Sequence, residues 1–255
     1  MAFTPSELTV GGRTAARPGA DPLRSYVGAA LVGGAGLALA HLLLFGRPEG
    51  PGWWPTFAAY ALGTGLAARA LIRHYPHGAL GLCNAATQVR LVLVALCLTA
   101  VFVEAPTPWL TAALATMALS LDGIDGWLAR REGLVSDFGA RFDMEVDSAL
   151  ALILAVGAFT GGAAGGIVLL LGLARYAFWG ASLALPWLGA PLPPRFSRKA
   201  VCVLQIGTLV ALHVPALPSA IAAPATVIVA LALLWSFGKD ILWLWRHEGA
   251  CTRPV

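Results

Sequence analysis

Charged residues are scarce in this chain of 255 residues: only 12% are Asp, Glu, Lys or Arg, whereas 58% are hydrophobic. A soluble domain of this length carries about a quarter charged residues, so the deficit excludes an ordinary globular protein. Glycine and tryptophan are plentiful, at 29 and 9 residues, as in closely packed membrane helices with interfacial aromatics. The composition predicts an all-α integral membrane protein.

Cysteine and clustered basic charge are scarce as well. No two cysteines have the spacing of a metal site or a redox motif, so we interpret them as reduced packing residues. The formal charge is +4, but no basic run is interleaved with aromatic residues, which argues against a nucleic-acid partner. The cysteines are Cys83, Cys97, Cys202 and Cys251.

Apolar runs divide the chain into about eight predicted transmembrane helices, because a span needs about 20 mostly apolar residues. The fourth and fifth are polar at the ends that face each other, so hydropathy alone scores them poorly. The first run is long enough to be a retained helix rather than a signal peptide. The predicted spans are residues 26–45, 53–72, 84–103, 108–129, 144–160, 164–187, 200–218 and 220–245.

The basic residues agree with this number of spans. With the N-terminus in the cytoplasm, the outer loops contain only Arg47, as the positive-inside rule requires. We therefore expect a protein of a bacterial cell membrane, with a cytoplasmic N-terminal arm (1–25) and an extra N-terminal helix pair (26–79). A core of six helices (80–250) follows.

Glycines near the predicted start of the sixth span permit two interpretations. Small residues four apart favour close helix approach, and a flexible outer turn is the alternative. These glycines are Gly161, Gly162, Gly165 and Gly166.

Five residues near the end of the fourth predicted span recur at i, i+3, i+4, i+7 and i+8. On a helix this spacing forms one continuous face. The small members leave space beside the two carboxylates, and the arginine can pair with a phosphate. These residues are Asp122, Asp125, Gly126, Ala129 and Arg130.

Two more aspartates, Asp143 and Asp147, share a face of the fifth span, so the two pairs can converge across a helix hairpin. Four carboxylates near a bilayer repel one another, and low dielectric penalises each charge. Divalent cations resolve both problems, and four aspartates can hold two Mg²⁺ or Mn²⁺ ions. Paired metals stabilise the attacking and leaving oxygens of phosphoryl chemistry, and one aspartate could accept a proton instead.

Neighbouring acidic residues fit other roles. Glu132 and Asp137 are interpreted as parts of a solvated loop between the two helices. Glu145 is two residues from both Asp143 and Asp147, so its side chain is expected to point away from their face.

The hairpin resembles the CDP-alcohol phosphotransferase family. Its residues match the family signature D-x2-D-G-x2-A-R-x8-G-x3-D-x3-D at every fixed position, from Asp122 through Gly139 to Asp147. The resemblance covers about residues 80–245 and implies a six-helix membrane core, a homodimer and a site with two metal ions. It implies metal ligation by Asp122, Asp125, Asp143 and Asp147, with Asp147 also the catalytic base. It further implies contacts to the CDP portion from Gly126, Ala129, Arg130 and Ser136.

Two other segments resemble the same family. Asn84, Thr87 and Arg90 recur at i, i+3 and i+6, so they can share a helix side and touch the nucleotide or a phosphate. A helix N-cap at Asn84, followed by interfacial polar residues, is the alternative. Lys199 and Gln205 match the basic start of a later core helix in the family.

Basic residues suggest the acceptor. The family joins two alcohols through one phosphate and releases CMP. Arg175 lies in the middle of the sixth span, where an unpaired charge is costly, so we expect it to face a cavity and bind an anion. Arg195, Arg198 and Lys199 lie at the membrane edge, where the positive-inside bias is the alternative explanation. Together they favour a CDP-diacylglycerol donor and a phosphorylated polyol acceptor, such as inositol phosphate or glycerol phosphate.

Three alternatives stay open from the sequence. Ser148 stands where such family members often carry a basic residue. One alternative is therefore transfer of phosphocholine or phosphoethanolamine from its CDP-linked donor to diacylglycerol, with release of CMP. Intramembrane prenyl transfer also uses aspartates and Mg²⁺, but it usually places them on helices far apart in sequence. A divalent-cation-binding membrane protein would not explain Gly126, Ala129 and Arg130 on the same face.

Overall fold

The computed structural model describes residues 21–47, 53–77, 80–103, 107–134, 136–193 and 195–247, without the side chains of Asp125 and Ala129. These residues form eight α-helices and one short 3-10 helix, Pro186–Gly189, and contain no strand. The α-helices are α1 (Pro22–Phe45), α2 (Trp54–His74), α3 (Leu82–Phe102), α4 (Leu110–Glu132), α5 (Asp137–Thr160), α6 (Val168–Ala184), α7 (Phe196–Ala211) and α8 (Ser219–Arg246).

Two helices begin earlier than their predicted spans because polar residues cap them. Asp21 accepts a hydrogen bond from the Leu23 amide at 3.1 Å, so α1 starts at Pro22. The last residues of the predicted arm therefore belong to α1. Residues 1–20 of the arm lie outside the described part. Ser136 caps α5, which starts seven residues before the apolar run that predicted it.

The helix α7 ends earlier than its predicted span, at Ala211 rather than at residue 218. Pro215 and Pro218 follow within seven residues, and proline cannot continue the hydrogen-bond ladder of a helix. The apolar run therefore continues as the connection to α8, and α7 has only 16 residues.

Three described helices are long and apolar enough to cross a membrane: α1, α3 and α8. The helix α6 is similarly apolar but has only 17 residues. The helices α4 and α5 carry the aspartates, which lower their mean hydropathy, as expected from the sequence. The chain is therefore an integral membrane protein, and the number of spans stays a prediction.

The helix α3 lies at the centre of the bundle, against α1, α2, α4 and α5. Its residues Leu93, Val94, Leu96 and Cys97 are buried between these neighbours. Cys97 makes no disulfide within the described part, as expected for a packing residue. A central position lets α3 present polar side chains both to the hairpin of α4 and α5 and to the N-terminal helices.

Hydrogen bonds connect the extra N-terminal helix pair, α1 and α2, to the core. The amide of Gln88 in α3 donates to the Tyr60 hydroxyl in α2 at 2.9 Å, and that hydroxyl donates to the Ala30 carbonyl in α1 at 2.7 Å. The hydroxyls of Thr56 and Thr99 lie 2.6 Å apart in a second, buried contact between α2 and α3. The pair is thus joined to α3 by buried polar contacts as well as by apolar packing.

A glycine allows close approach of α5 and α6, but it is not one of the four named from the sequence. A Cβ atom on Gly172 would lie 2.7 Å from the Ala155 Cβ and 3.1 Å from the Ala151 carbonyl oxygen. Gly161, Gly162, Gly165 and Gly166 fall in the connection between the two helices, and Gly162 has a positive φ of 71°. Of the two interpretations, a turn rather than close helix packing is therefore the correct one, and the outer location of this turn stays a prediction.

Candidate active site

Three helices bring one arginine and three aspartates together. Arg90 of α3 is fully buried, and its guanidinium donates hydrogen bonds to Asp143 and Asp147 of α5. Its Nη1 also lies 3.3 Å from Oδ1 of Asp122 in α4. The three carboxylates remain 24% to 34% exposed, so Arg90 closes one side of the cluster while the other side is open.

The donor set of this cluster fits a divalent cation. One oxygen from each of Asp122, Asp143 and Asp147 lies within 4.8 Å of the others. The cluster contains three carboxyl groups and one guanidinium, so its acidic groups outnumber its basic one. Mg²⁺ and Mn²⁺ prefer oxygen ligands of this kind. Asp125 lies one helical turn after Asp122 in α4, and its side chain is outside the described part.

The start of α3 brings Asn84 to the start of α5. A Cβ on Gly139 would lie 3.3 Å from the Ser136 hydroxyl and 3.5 Å from the Asn84 amide oxygen. The Asn84 amide donates to the Tyr75 hydroxyl at 3.3 Å, and burial raises the pKa of that hydroxyl, which keeps it protonated. Gly81 rather than Asn84 is the N-cap of α3, so the alternative interpretation of Asn84 as a cap is wrong.

Two further residues predicted to contact CDP occupy different surroundings. Thr87 is buried one helical turn before Arg90, and its hydroxyl donates to the Cys83 carbonyl at 3.1 Å. Among the side chains that the structure describes, a Cβ on Gly126 would meet only Nη1 of Arg130 within 4 Å, at 3.5 Å. Space therefore remains beside the exposed Arg130. The side chain of Ala129, also predicted to contact CDP, lies outside the described part.

Glu132 joins the end of α4 to the start of α3, so the interpretation of this residue as part of a solvated loop is wrong. Its Oε1 accepts a hydrogen bond from the Leu82 amide at 3.3 Å, where the unpaired amides of a helix start attract a carboxylate. A Cβ on Gly81 would lie 2.6 Å from its Oε2. No local pattern indicates this contact, because 50 residues separate the two partners.

The family model for CDP-alcohol phosphatidyltransferases matches residues 80–237. The chain belongs to this family. The protein is therefore a phosphotransferase enzyme of phospholipid synthesis, in a family that generally depends on divalent metals. Neither the curated proteins nor the solved structures compared with the chain give a significant match. The match favours the enzyme over the prenyltransferase and cation-binding alternatives, and α1 and α2 lie outside it.

In this CDP-alcohol phosphatidyltransferase, two of the basic residues predicted to bind the acceptor are held by an aspartate. Arg198 of α7 binds both carboxylate oxygens of Asp240 in α8, at 2.8 and 2.9 Å. Arg195 approaches the same carboxylate at 3.5 Å. Asp240 is buried. It was not predicted as a site residue, although an acidic residue within an apolar helix indicates a partner. Lys199 is exposed beside them.

Arg175, the fourth residue predicted to bind the acceptor, pairs with Glu145. Its Nη2 donates to the Glu145 carboxylate at 2.5 Å, and both side chains are partly exposed, at 35% and 59%. Glu145 points away from the aspartate cluster, as its spacing predicts, and Arg175 contacts it there. The role of Arg175 in acceptor binding stays a prediction.

Proposed function

We propose that the protein transfers a phosphatidyl group from CDP-diacylglycerol to a phosphorylated polyol, such as inositol phosphate or glycerol phosphate, and releases CMP. The observation that carries this proposal is the convergence of Asp122, Asp143 and Asp147 on Arg90 within the part of the chain that the family model matches. An acidic, partly exposed cluster beside open space can hold a diphosphate through cations.

The proposed cofactor is a pair of Mg²⁺ or Mn²⁺ ions held by Asp122, Asp125, Asp143 and Asp147. When bound, they would neutralise the diphosphate and stabilise the leaving oxygen. Arg90 supports this role from the closed side, because its hydrogen bonds orient Asp143 and Asp147 toward the opening.

Asp147 is the proposed catalytic base. It accepts the proton of the acceptor hydroxyl while the acceptor oxygen attacks the phosphorus next to diacylglycerol. The bond between that phosphorus and the oxygen of CMP breaks, and CMP leaves. Asp147 is partly exposed at the open side of the cluster, as a base that meets a substrate must be.

The proposed CDP contacts surround this opening. The space beside Gly126 and Arg130 suits a phosphate, which an arginine binds through charge-assisted hydrogen bonds. Asn84 and Ser136 adjoin each other at Gly139 and supply polar groups for the nucleotide. The remaining proposed CDP contacts are Thr87 and Ala129.

Basic side chains support the phosphorylated acceptor. Arg195 and Arg198 are oriented by the buried Asp240, and together they carry one positive charge more than that carboxylate. Lys199 is an exposed neighbour, and Arg175 is the fourth proposed contact. Ser148 does not decide between donors, because it is buried and its hydroxyl donates to the Met144 carbonyl at 2.7 Å.

Release of CMP by the purified protein tests the reaction. CDP-diacylglycerol is offered with inositol phosphate, glycerol phosphate, serine or inositol, and CDP-choline is offered separately with diacylglycerol. We expect metal-dependent CMP release with CDP-diacylglycerol and one of the phosphorylated polyols. Release only from CDP-choline and diacylglycerol would favour the choline and ethanolamine branch instead. No release from any pair would contradict the proposal.

The proposed setting is a homodimer in a bacterial cell membrane, with the active site toward the cytoplasm. The distribution of basic residues supports this orientation, because the connection between α4 and α5 lies at the same end of the bundle as the basic end of α2. Proposed partners are the CDP-linked donor, the alcohol acceptor and membrane lipids.

A further inference from the structure

A groove with a volume of about 1180 Å³ lies between α2, α5 and α6, and we call it the α2–α5–α6 groove. Its α5 wall uses a different face of that helix from the one that carries Asp143 and Asp147. None of the three clustered aspartates lines it. The α5 wall consists of residues that recur every three or four positions, including Phe138, Phe142, Glu145, Ala149 and Ile153.

One part of the groove is apolar. Leu62 and Leu66 of α2 line it and are 64% and 58% exposed. Leu91 and Val94 of α3 form its floor, and Trp179 of α6 lines the other side. Hydrocarbon chains match such a surface, whereas contact of these leucines with water costs free energy.

The other end of the groove is basic. Arg69 and Arg73 of α2 and Arg141 of α5 line it, and no carboxylate among the described residues lies within 4.0 Å of any of the three. Two acidic residues line the groove as well: Glu145 pairs with Arg175, and Asp137 lies in the first turn of α5. Positive charge is therefore in excess beside the apolar wall.

We propose that the α2–α5–α6 groove binds an anionic phospholipid of the membrane. The phosphate lies at Arg69, Arg73 and Arg141, and the acyl chains lie along Leu62 and Leu66. Arginine suits this ligand because its planar guanidinium binds phosphate oxygens in pairs. The arrangement follows the bilayer, in which the charged headgroup and the hydrocarbon chains occupy successive depths.

This site differs from the aspartate cluster, because Asp122, Asp143 and Asp147 do not line the groove. Arg175, a proposed acceptor contact, lines it but is paired with Glu145. The proposed lipid site also assigns a function to the N-terminal helix pair, since α2 supplies two of the three arginines and lies outside the family match. The inference does not depend on the identity of the donor or the acceptor, so it holds or fails independently of CMP release.

Lipid binding to the full-length protein tests the proposal. The protein is purified in detergent and titrated with phosphatidylglycerol or phosphatidylcholine, and retained lipids are counted by native mass spectrometry. We expect preferential retention of phosphatidylglycerol and a loss of about fivefold in affinity for each arginine removed in the Arg69→Ala/Arg73→Ala variant. Arg246→Ala removes an exposed arginine at the end of α8 that does not line the groove, and it should bind like the unmodified protein.

A second pair of variants tests the apolar part. Leu66→Trp adds bulk inside the groove and should weaken phosphatidylglycerol binding several-fold, whereas Leu231→Trp adds it at an exposed position of α8 outside the groove. Equal retention of the two lipids would overturn the proposal, as would equal losses in a groove variant and its control. Cross-linking of α2 to α6 between two copies, with no bound lipid, would assign the groove to a second copy and overturn it as well.

Discussion

At the scale of single residues, the buried Arg90 joins three aspartates of two other helices into one cluster. The spacing of Asp122, Asp143 and Asp147 places them on facing helix sides because helical periodicity is local. Arg90 was recognised only as part of a polar helix side. Its contact with Asp147 spans 57 residues, although a fully buried arginine always requires a partner of this kind.

Asp147→Asn should lower CMP release by about 10² to 10⁴-fold, the usual contribution of a general base. The amide oxygen can still accept the hydrogen bond from Arg90, so the fold should survive. Steady-state turnover is the measurement, with helical circular dichroism as the check on folding. Asp137→Asn removes a carboxylate from the exposed first turn of the same helix and should keep most of the activity. Turnover close to that of the unmodified protein in Asp147→Asn would remove its assignment as the base.

At the scale of helices, the contacts that could not be predicted are those between elements distant in sequence. The basic start of α7 is predictable from its sequence, but its partner Asp240 is not, because it lies 42 residues after Arg198. The small residues near α6 fit both a turn and close packing when only their spacing is known. Gly172, where α5 and α6 approach closely, was not among the four glycines named from the sequence.

Gly172→Ala should destabilise the protein by about 1–3 kcal/mol, the usual cost of adding a methyl group to a tightly packed contact. The added Cβ would meet backbone atoms of Leu152 and Ala151 at 3.0 and 3.1 Å, which cannot rotate away. Gly180→Ala, in the same helix, has nothing within 4 Å of its Cβ and serves as the matched control. The midpoints of thermal unfolding in one detergent are compared. A Gly172→Ala midpoint equal to that of the control would mean that α5 and α6 separate at little cost.

At the scale of the whole molecule, the order of helices followed from apolar runs, whereas the role of the N-terminal pair did not. The hydroxyl of Tyr60 helps to attach this pair, because it is hydrogen-bonded both to Ala30 of α1 and to Gln88 of α3. No local pattern identifies such a tyrosine among other interfacial aromatics. The helices α1 and α2 therefore pack against α3 and help to position it, and Arg90 is a residue of α3.

The orientation of this body in the membrane can be measured with two introduced cysteines. Gly165 lies between α5 and α6 and Gly189 between α6 and α7, and both positions have open space for a side chain. Since α6 separates them, Gly165→Cys and Gly189→Cys should lie on opposite faces of the membrane. In intact cells, and with the native cysteines replaced, an impermeant maleimide should label only Gly165→Cys. Gly189→Cys should react after permeabilisation, because the positive-inside rule predicts that the basic ends of the helices face the cytoplasm. Labelling of both in intact cells would contradict α6 as a span, and a reversed pattern would place the aspartate cluster toward the outside.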